Sequence, residues 1–165
     1  MRSPSPADIP AKPVRAEDVA VRRVRESDLP AVISLDARIT GLPKPEYWED
    51  IYRRYGRRRL EERFFLVAAE EGRRAPVFGF IVAEVRAWEF GSAPCGWVFA
   101  LSVEPGRRLD GVGSALLSAI SDEFKRAGVS KIRTMVARDA RLPMLFFRSE
   151  GLVAGPYIQL EKEIA

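Results

Sequence analysis

The chain has no histidine and a single cysteine, Cys95, in 165 residues. Without histidine, Ser-His and Cys-His nucleophilic pairs in their usual forms are excluded, and so are most catalytic zinc sites. Any general acid or base is then Asp, Glu, Tyr, Lys, Cys or a water chain. One cysteine excludes an internal disulfide and a multi-cysteine zinc centre, which fits a reducing cytoplasm. No metal is expected. No apolar run approaches the roughly 18 residues that span a membrane. The first residues lack the positive-then-apolar layout of a signal peptide. No internal repeat is visible. What is present, 47% hydrophobic and 30% charged residues, describes a soluble globular protein long enough for one well-cored domain.

The net charge is +4, and arginine leads it. Arg53, Arg54, Arg57, Arg58, Arg59 and Arg63 crowd one segment. The plainest reading is a solvated helix face whose last-turn arginines complement the helix dipole. The alternative is a patch for an anionic partner. Glu61 and Glu62 interrupt the run, which weighs against nucleic acid.

Residues 1–18 carry Pro4, Pro6, Pro10 and Pro13 with few large apolar groups and read as a flexible leader. Residues 19–165 then form the domain. Val19 to Arg25 alternates apolar and charged residues, as a strand does. Ser27 or Asp28 caps a helix through Leu29, Val32, Ile33 and Leu35, with Pro30 tolerated in its first turn. After the turn-rich stretch Thr40 to Pro45, a helix over Pro45 to Arg59 puts Tyr47, Trp48, Ile51, Tyr52 and Tyr55 on one side. Core packing is the first expectation for such a stripe, and a substrate wall the second. Strands are expected over Arg63–Glu70 and Val77–Ala87, joined as a hairpin, and over Trp97–Val103. A long helix ends at Gly128. A strand over Lys131–Ala137, a helix over Leu142–Glu150 ending at Gly151, and a strand over Gly155–Ile164 close the chain. The order β-α-α-β-β-β-α-β-α-β predicts a mixed α+β fold.

The most informative stretch lies between the strand ending at Val103 and the helix through Val112, Ala115, Leu116, Ala119, Ile120 and Phe124. It places Arg108, Gly111 and Gly113 at a helix N-terminus. Free N–H groups and the positive end of the helix dipole meet there, and glycine admits a bulky phosphate. There is no Gly-Lys-Ser/Thr of a nucleotide P-loop. A dinucleotide fingerprint would need a third glycine where Leu116 stands.

The pattern Val-x-Pro-x-x-Arg-x-x-Gly-x-Gly, here Val103, Pro105, Arg108, Gly111 and Gly113, resembles the acyl-CoA signature of the Gcn5-related N-acetyltransferase (GNAT) superfamily. The likeness covers roughly residues 19 to 165, and the element order is also that of the GNAT fold: a mixed, largely antiparallel sheet flanked by helices. The resemblance implies that the loop of Arg108, Leu109, Asp110, Gly111, Val112, Gly113 and Ser114 cradles the CoA pyrophosphate. It implies that Leu101, Ser102 and Val103 pair with the pantetheine arm and serve the thioester carbonyl. Leu109 and Asp110 depart from the glycine and the basic or polar residue common there. Asp110 is expected to cap the helix or to turn outward.

The implied activity is acetyl-CoA-dependent transfer of an acyl group to a small-molecule or peptide amine, by direct attack on the thioester. A non-catalytic acyl-CoA-binding regulator is the alternative. Similar proteins are often dimers, so a homodimer is among the expected assemblies. The family's usual acid, a Tyr four residues before the last helix's glycine, is Phe147 here, placed beside the cofactor. A common Asn seven residues earlier is Ala140, and a base carboxylate six residues before Val103 is Trp97. Glu84, on the neighbouring strand, is the candidate base, acting through water. Tyr157, Glu104, Asp36 and Asp139 rank below it. Cys95 reads as a small packed residue. A thiol with pKa about 8.5 leaves without a strong acid, which favours amines already neutral near pH 7.

Overall fold

The computed structural model describes residues 19–57, 61–71 and 76–164. The expected leader and most of the first hairpin's loop lie outside them. The chain divides into two compact units between Thr134 and Met135.

In the first unit, five strands lie in the order of the sequence: β1 (Ala20–Arg23), β2 (Arg63–Ala69), β3 (Val77–Arg86), β4 (Cys95–Val103) and β5 (Ile132–Thr134). Every neighbouring pair is antiparallel except β4 and β5, which run parallel across α3 (Val112–Arg126). The alternation of β2 explains the layering. Phe65, Val67 and Ala69 join one buried cluster with Val32 and Leu35 of α1 (Leu29–Thr40) and Trp48 and Ile51 of α2 (Pro45–Ile51). Phe64, on the opposite face, meets Phe124 of α3 edge to face at 5.6 Å.

Two glycines set how closely α3 lies on the sheet. A Cβ at Gly96 would fall 2.4 Å from the Phe124 ring. One at Gly79 would meet Val112, Leu116 and the Ser102 carbonyl at 3.0–3.2 Å. Buried polar groups fasten the other layer. Asp36 accepts from the Trp48 indole and the Lys44 ammonium, both at 2.9 Å, tying α1 to the start of α2. Asp28 precedes α1 as expected, but its carboxylate makes no cap to that helix. It accepts two bonds from Arg22 at 2.7 and 2.9 Å and one from the Arg25 amide at 2.7 Å.

The second helix departs from expectation. Regular α-helix stops at Ile51, and Tyr52–Arg57 continues as a π-helical turn. The wider turn shifts the following side chains around the axis. Trp48, Ile51 and Tyr55 are buried, as core packing predicts, while Tyr47 is exposed.

The second unit holds α4 (Arg141–Ser149), close to the expected span. The strand expected over Gly155–Ile164 does not form: residues 152–164 are without helix or strand, and Ile158, Leu160 and Ile164 are over 80% exposed. Alternation makes a segment fit for a sheet, but only a partner edge makes it a strand.

Candidate active site

The loop after β4 is built by a short chain of backbone bonds. The Glu104 amide donates to the Phe78 carbonyl at 2.8 Å, which holds the end of β4 against β3. Pro105–Arg107 makes one 3-10 turn, and the Asp110 amide closes back on the Arg107 carbonyl at 3.2 Å. Gly111 then takes φ 74°, in the left-handed region that glycine enters without cost, and is itself the N-cap of α3. Asp110 is therefore not the cap. It stands one residue before it, half-buried, and α3 has no side-chain cap. The first intrahelical bond runs from the Ala115 amide to the Gly111 carbonyl at 2.9 Å. The amides of Val112 and Gly113 precede it, so they face out of the helix end. Leu109 is fully exposed, and Arg108 is exposed with its Nε 3.5 Å from the Val103 carbonyl. Arg107 is used inside the fold, over the Phe78 ring at 4.9 Å and 3.4 Å from Glu70.

Upstream, β4 has a bulge. Val82 pairs with Ala100 but Ala83 pairs with Val98, so Phe99 is an extra residue in β4. The pairing with β5 covers only Gly96, Val98 and the residue between them, and the Thr134 hydroxyl donates to the Val98 carbonyl at 2.9 Å. A bulge bends and twists its strand. Here β4 loses its β5 partner at the bulge, which explains why β5 is shorter than the expected Lys131–Ala137. From Phe99 to Val103, including Leu101 and Ser102, β4 has no strand beside it on the β5 side among the described residues. That free backbone edge leads straight into the loop and the N-terminus of α3.

Glu84 lies directly across from Trp97 in the β3–β4 register, so the two side chains share a face. The carboxylate is engaged on both oxygens. The Tyr55 hydroxyl, delivered by the π-turn, donates to Oε2 at 2.5 Å, and Arg86 Nε donates to Oε1 at 2.9 Å. Burial pushes the Glu84 carboxyl up, but the Tyr55 and Arg86 hydrogen bonds and the charges of Arg86 and Arg63 outweigh it, and its pKa falls below the ordinary value. Burial and the Glu84 carboxylate push the Tyr55 phenol up to about 12. Tyr55 also meets Phe99 edge to face at 5.3 Å, which joins this cluster to the bulge. The sequence named Glu84 but missed Tyr55, Arg63 and Arg86 as its neighbours. The usable signal was the register, since Glu84 faces the strand position at which a carboxylate was sought.

The lesser candidates are occupied elsewhere. Asp36 is buried beneath Trp48 and Lys44, and Glu104 pairs with Arg38 at 2.9 Å. Cys95 is buried, as expected of a packed residue. Phe147 lies on α4 in the second unit, buried and 5.1 Å from the Phe146 ring. Tyr157 and Asp139 are exposed in that unit. Among the described residues, no three His, Cys, Asp or Glu side chains gather to hold a metal ion, and no helix is long and apolar enough to cross a membrane.

The model of the acetyltransferase (GNAT) family matches residues 29–147, a span from α1 through α4. The chain belongs to the GNAT acetyltransferase family. It is an acetyl-CoA-dependent N-acetyltransferase. No protein of curated function matches the sequence. Several solved structures share the GNAT fold. Aminoglycoside N-acetyltransferase AAC(6')-Iy in complex with CoA is 13% identical, with TM-score 0.76 over 89% of this chain and 95% of that one. AAC(6')-Ih from Acinetobacter baumannii is 15% identical, with TM-score 0.73 over 89% and 99%. An aminoglycoside acetyltransferase from an uncultured soil metagenomic sample, in complex with sisomicin, is 17% identical, with TM-score 0.69 over 90% and 97%. At such identities the likeness is one of fold. The mostly antiparallel open sheet with flanking helices is that fold.

Proposed function

We propose that this GNAT enzyme acetylates a small-molecule amine, and that acetyl-CoA lies along the free edge of β4. The observation that carries the reading is the departure of β4 from β5 at Phe99, which leaves an unpaired edge running into a helix N-terminus. In this reading the amides of Leu101 and Val103 and the carbonyl of Leu101 are the polar groups offered to the pantetheine arm and the thioester, while the Ser102 backbone faces Phe80 of β3. The pyrophosphate rests on the loop from Leu109 to Ser114, chiefly on the outward-facing amides of Val112 and Gly113, with Arg108 adding charge from the solvent side. The similar structures with CoA or an aminoglycoside bound support a CoA co-substrate and a small amine acceptor. The buried, unpaired Cys95 supports a cytoplasmic, reducing location.

Glu84 is the proposed base. Each of its oxygens keeps a second lone pair beyond the bonds from Tyr55 and Arg86, so a water can still donate to it. Held below its ordinary pKa, it is charged at neutral pH and takes a proton weakly. The amine must then be substantially neutral on arrival. The thiolate leaves with a proton from water or from the attacking amine.

The test joins binding to turnover. Acetyl-CoA at about a hundred times its Kd should add about 2.7 kcal/mol to the folding free energy, read as a rise in Tm. Thiol release with a panel of amines should then be fastest for low-pKa acceptors. Absence of any Tm shift at millimolar acetyl-CoA or other acyl-CoAs would overturn the placement of the co-substrate.

A further inference from the structure

The acceptor side of the bulge is rich in guanidinium groups, and their pairing is uneven. Arg54 Cζ lies 5.8 Å and Arg63 Cζ 5.3 Å from the Tyr55 ring centroid, so two cations flank one phenol. Arg86 lies over Trp97 at 4.6 Å, held there by Glu84 at 2.9 Å. Arg86 bonds the Glu84 carboxylate and Arg63 pairs across from it, while Arg54 lies against Tyr55. Outside that carboxylate, Arg54 reaches Asp50 at 2.5 Å, and Arg86 has Glu89 at 4.0 Å. Asp50 is shared with Arg53 at 3.7 Å. Arg63 has no ion pair among the described residues, although it is only half exposed at the first position of β2. It pairs across the sheet with Glu84 itself. The bonds to Glu84 come from Tyr55 and Arg86 and none from Arg63, so Arg63 keeps its donors for something else.

A planar guanidinium with spare donors, set over an aromatic ring, is a carboxylate-binding group. Phe99 and Trp97, both half-buried, offer apolar contact beside it. A polycationic acceptor meets net positive charge on this face, while an anionic group meets a donor without a partner. We infer that the acceptor is an amine that also carries a carboxylate, with Arg63 as the residue that selects it. This inference rests on the placement of the acceptor beside Phe99 and Glu84 in the reading above, and it separates this enzyme from polycation acetylation.

Dipeptides test it, because their α-amino pKa stays near 7.7–8.0 whether or not the C-terminus is amidated. Thiol release from acetyl-CoA is compared for a dipeptide with a free C-terminal carboxylate, the same dipeptide amidated, and a polyamine sugar. In parallel, calorimetry in the presence of CoA measures binding of the N-acetylated dipeptide in acid and amide forms, which needs no turnover. The free carboxylate should raise kcat/KM and tighten binding by about tenfold, the size of one charge-assisted contact. Arg63→Gln should erase that preference, read as the acid-to-amide ratio of KM and of calorimetric affinity, a ratio in which any kcat change from losing its charge beside Glu84 cancels. Arg63→Lys, which keeps charge but loses the fork, should restore part of it. Equal handling of acid and amide in both assays, or a preference for the polyamine, overturns the inference. A separate Tm titration with CoA reports on the co-substrate site. CoA binding without a carboxylate preference removes this inference alone, and no CoA binding removes the reading beneath it.

Discussion

Tyr55 shows how much one residue can link. Its ring packs on Phe99 and its hydroxyl holds Glu84, with Arg54 and Arg63 on either side. Tyr55→Phe keeps the ring and removes the donor, leaving Glu84 with Arg86. The expected cost is about 1–2 kcal/mol by urea unfolding. The pH signature is specific. A phenol whose folded pKa is raised contributes stability that is whole below pH 10.0 and is lost as pH climbs to about 12. Tyr55→Phe should flatten that alkaline limb. It should also let the Glu84 pKa rise, moving the acid limb of the pH–rate profile upward. A profile that does not move would mean that Glu84 is not the titrating base. At the co-substrate loop, Gly113→Val should abolish the acetyl-CoA Tm shift in a protein whose circular dichroism is native. Gly111→Val should cost stability as well, about 1–2 kcal/mol, because Gly111 holds a positive φ.

Among elements, α3 carries the most consequence, since its first turn forms the proposed phosphate site and its body fixes where that turn sits. Gly96→Ala tests the docking. The added methyl would overlap the Phe124 ring, which is itself fully buried and has little room to retreat. About 1–3 kcal/mol of destabilisation is expected from overpacking, measured by thermal or urea unfolding. Gly79→Ala acts nearer the loop, against Val112 and Leu116 at 3.0–3.1 Å. It should weaken acetyl-CoA binding more than its smaller effect on stability accounts for. The π-turn is the other decisive element. It follows α2 without a break and brings Tyr55 to Glu84.

At the scale of the whole molecule, two carboxylates govern acid stability. Asp28 is lowered by Arg22 and the Arg25 amide despite its burial, and Glu84 by Tyr55 and Arg86. A depressed folded pKa contributes stability that is present above the ordinary carboxylate range and is lost as pH falls through the folded value. Stability should therefore drop progressively below about pH 4. Asp28→Asn combined with Glu84→Gln should lower stability at pH 7 and flatten that acid fall. Arg22→Ala, which leaves a buried carboxylate with the Arg25 amide alone, should cost about 2–3 kcal/mol at neutral pH.

What the sequence by itself determined was local: periodicities, breakers and the phosphate-loop spacing. These place β1 to β4, α1, α3 and α4 close to where they form, because each follows from residues a few positions apart. They also fixed Gly111 and Gly113 at the start of α3. Register and partnership were decided only in three dimensions. Whether Glu84 faces Trp97, whether Phe99 is bulged, and where β5 stops depend on ladder pairing between distant segments. The alternating Gly155–Ile164 stretch had the pattern of a strand and formed none, because backbone pairing needs an edge to join. Tyr55, Arg63 and Arg86 became neighbours of Glu84 only when a π-turn and two strands met across the sheet. Charge and aromatic content were legible in the sequence, but that Arg63 lies over Tyr55 and not in an ion pair was settled by the geometry of the fold.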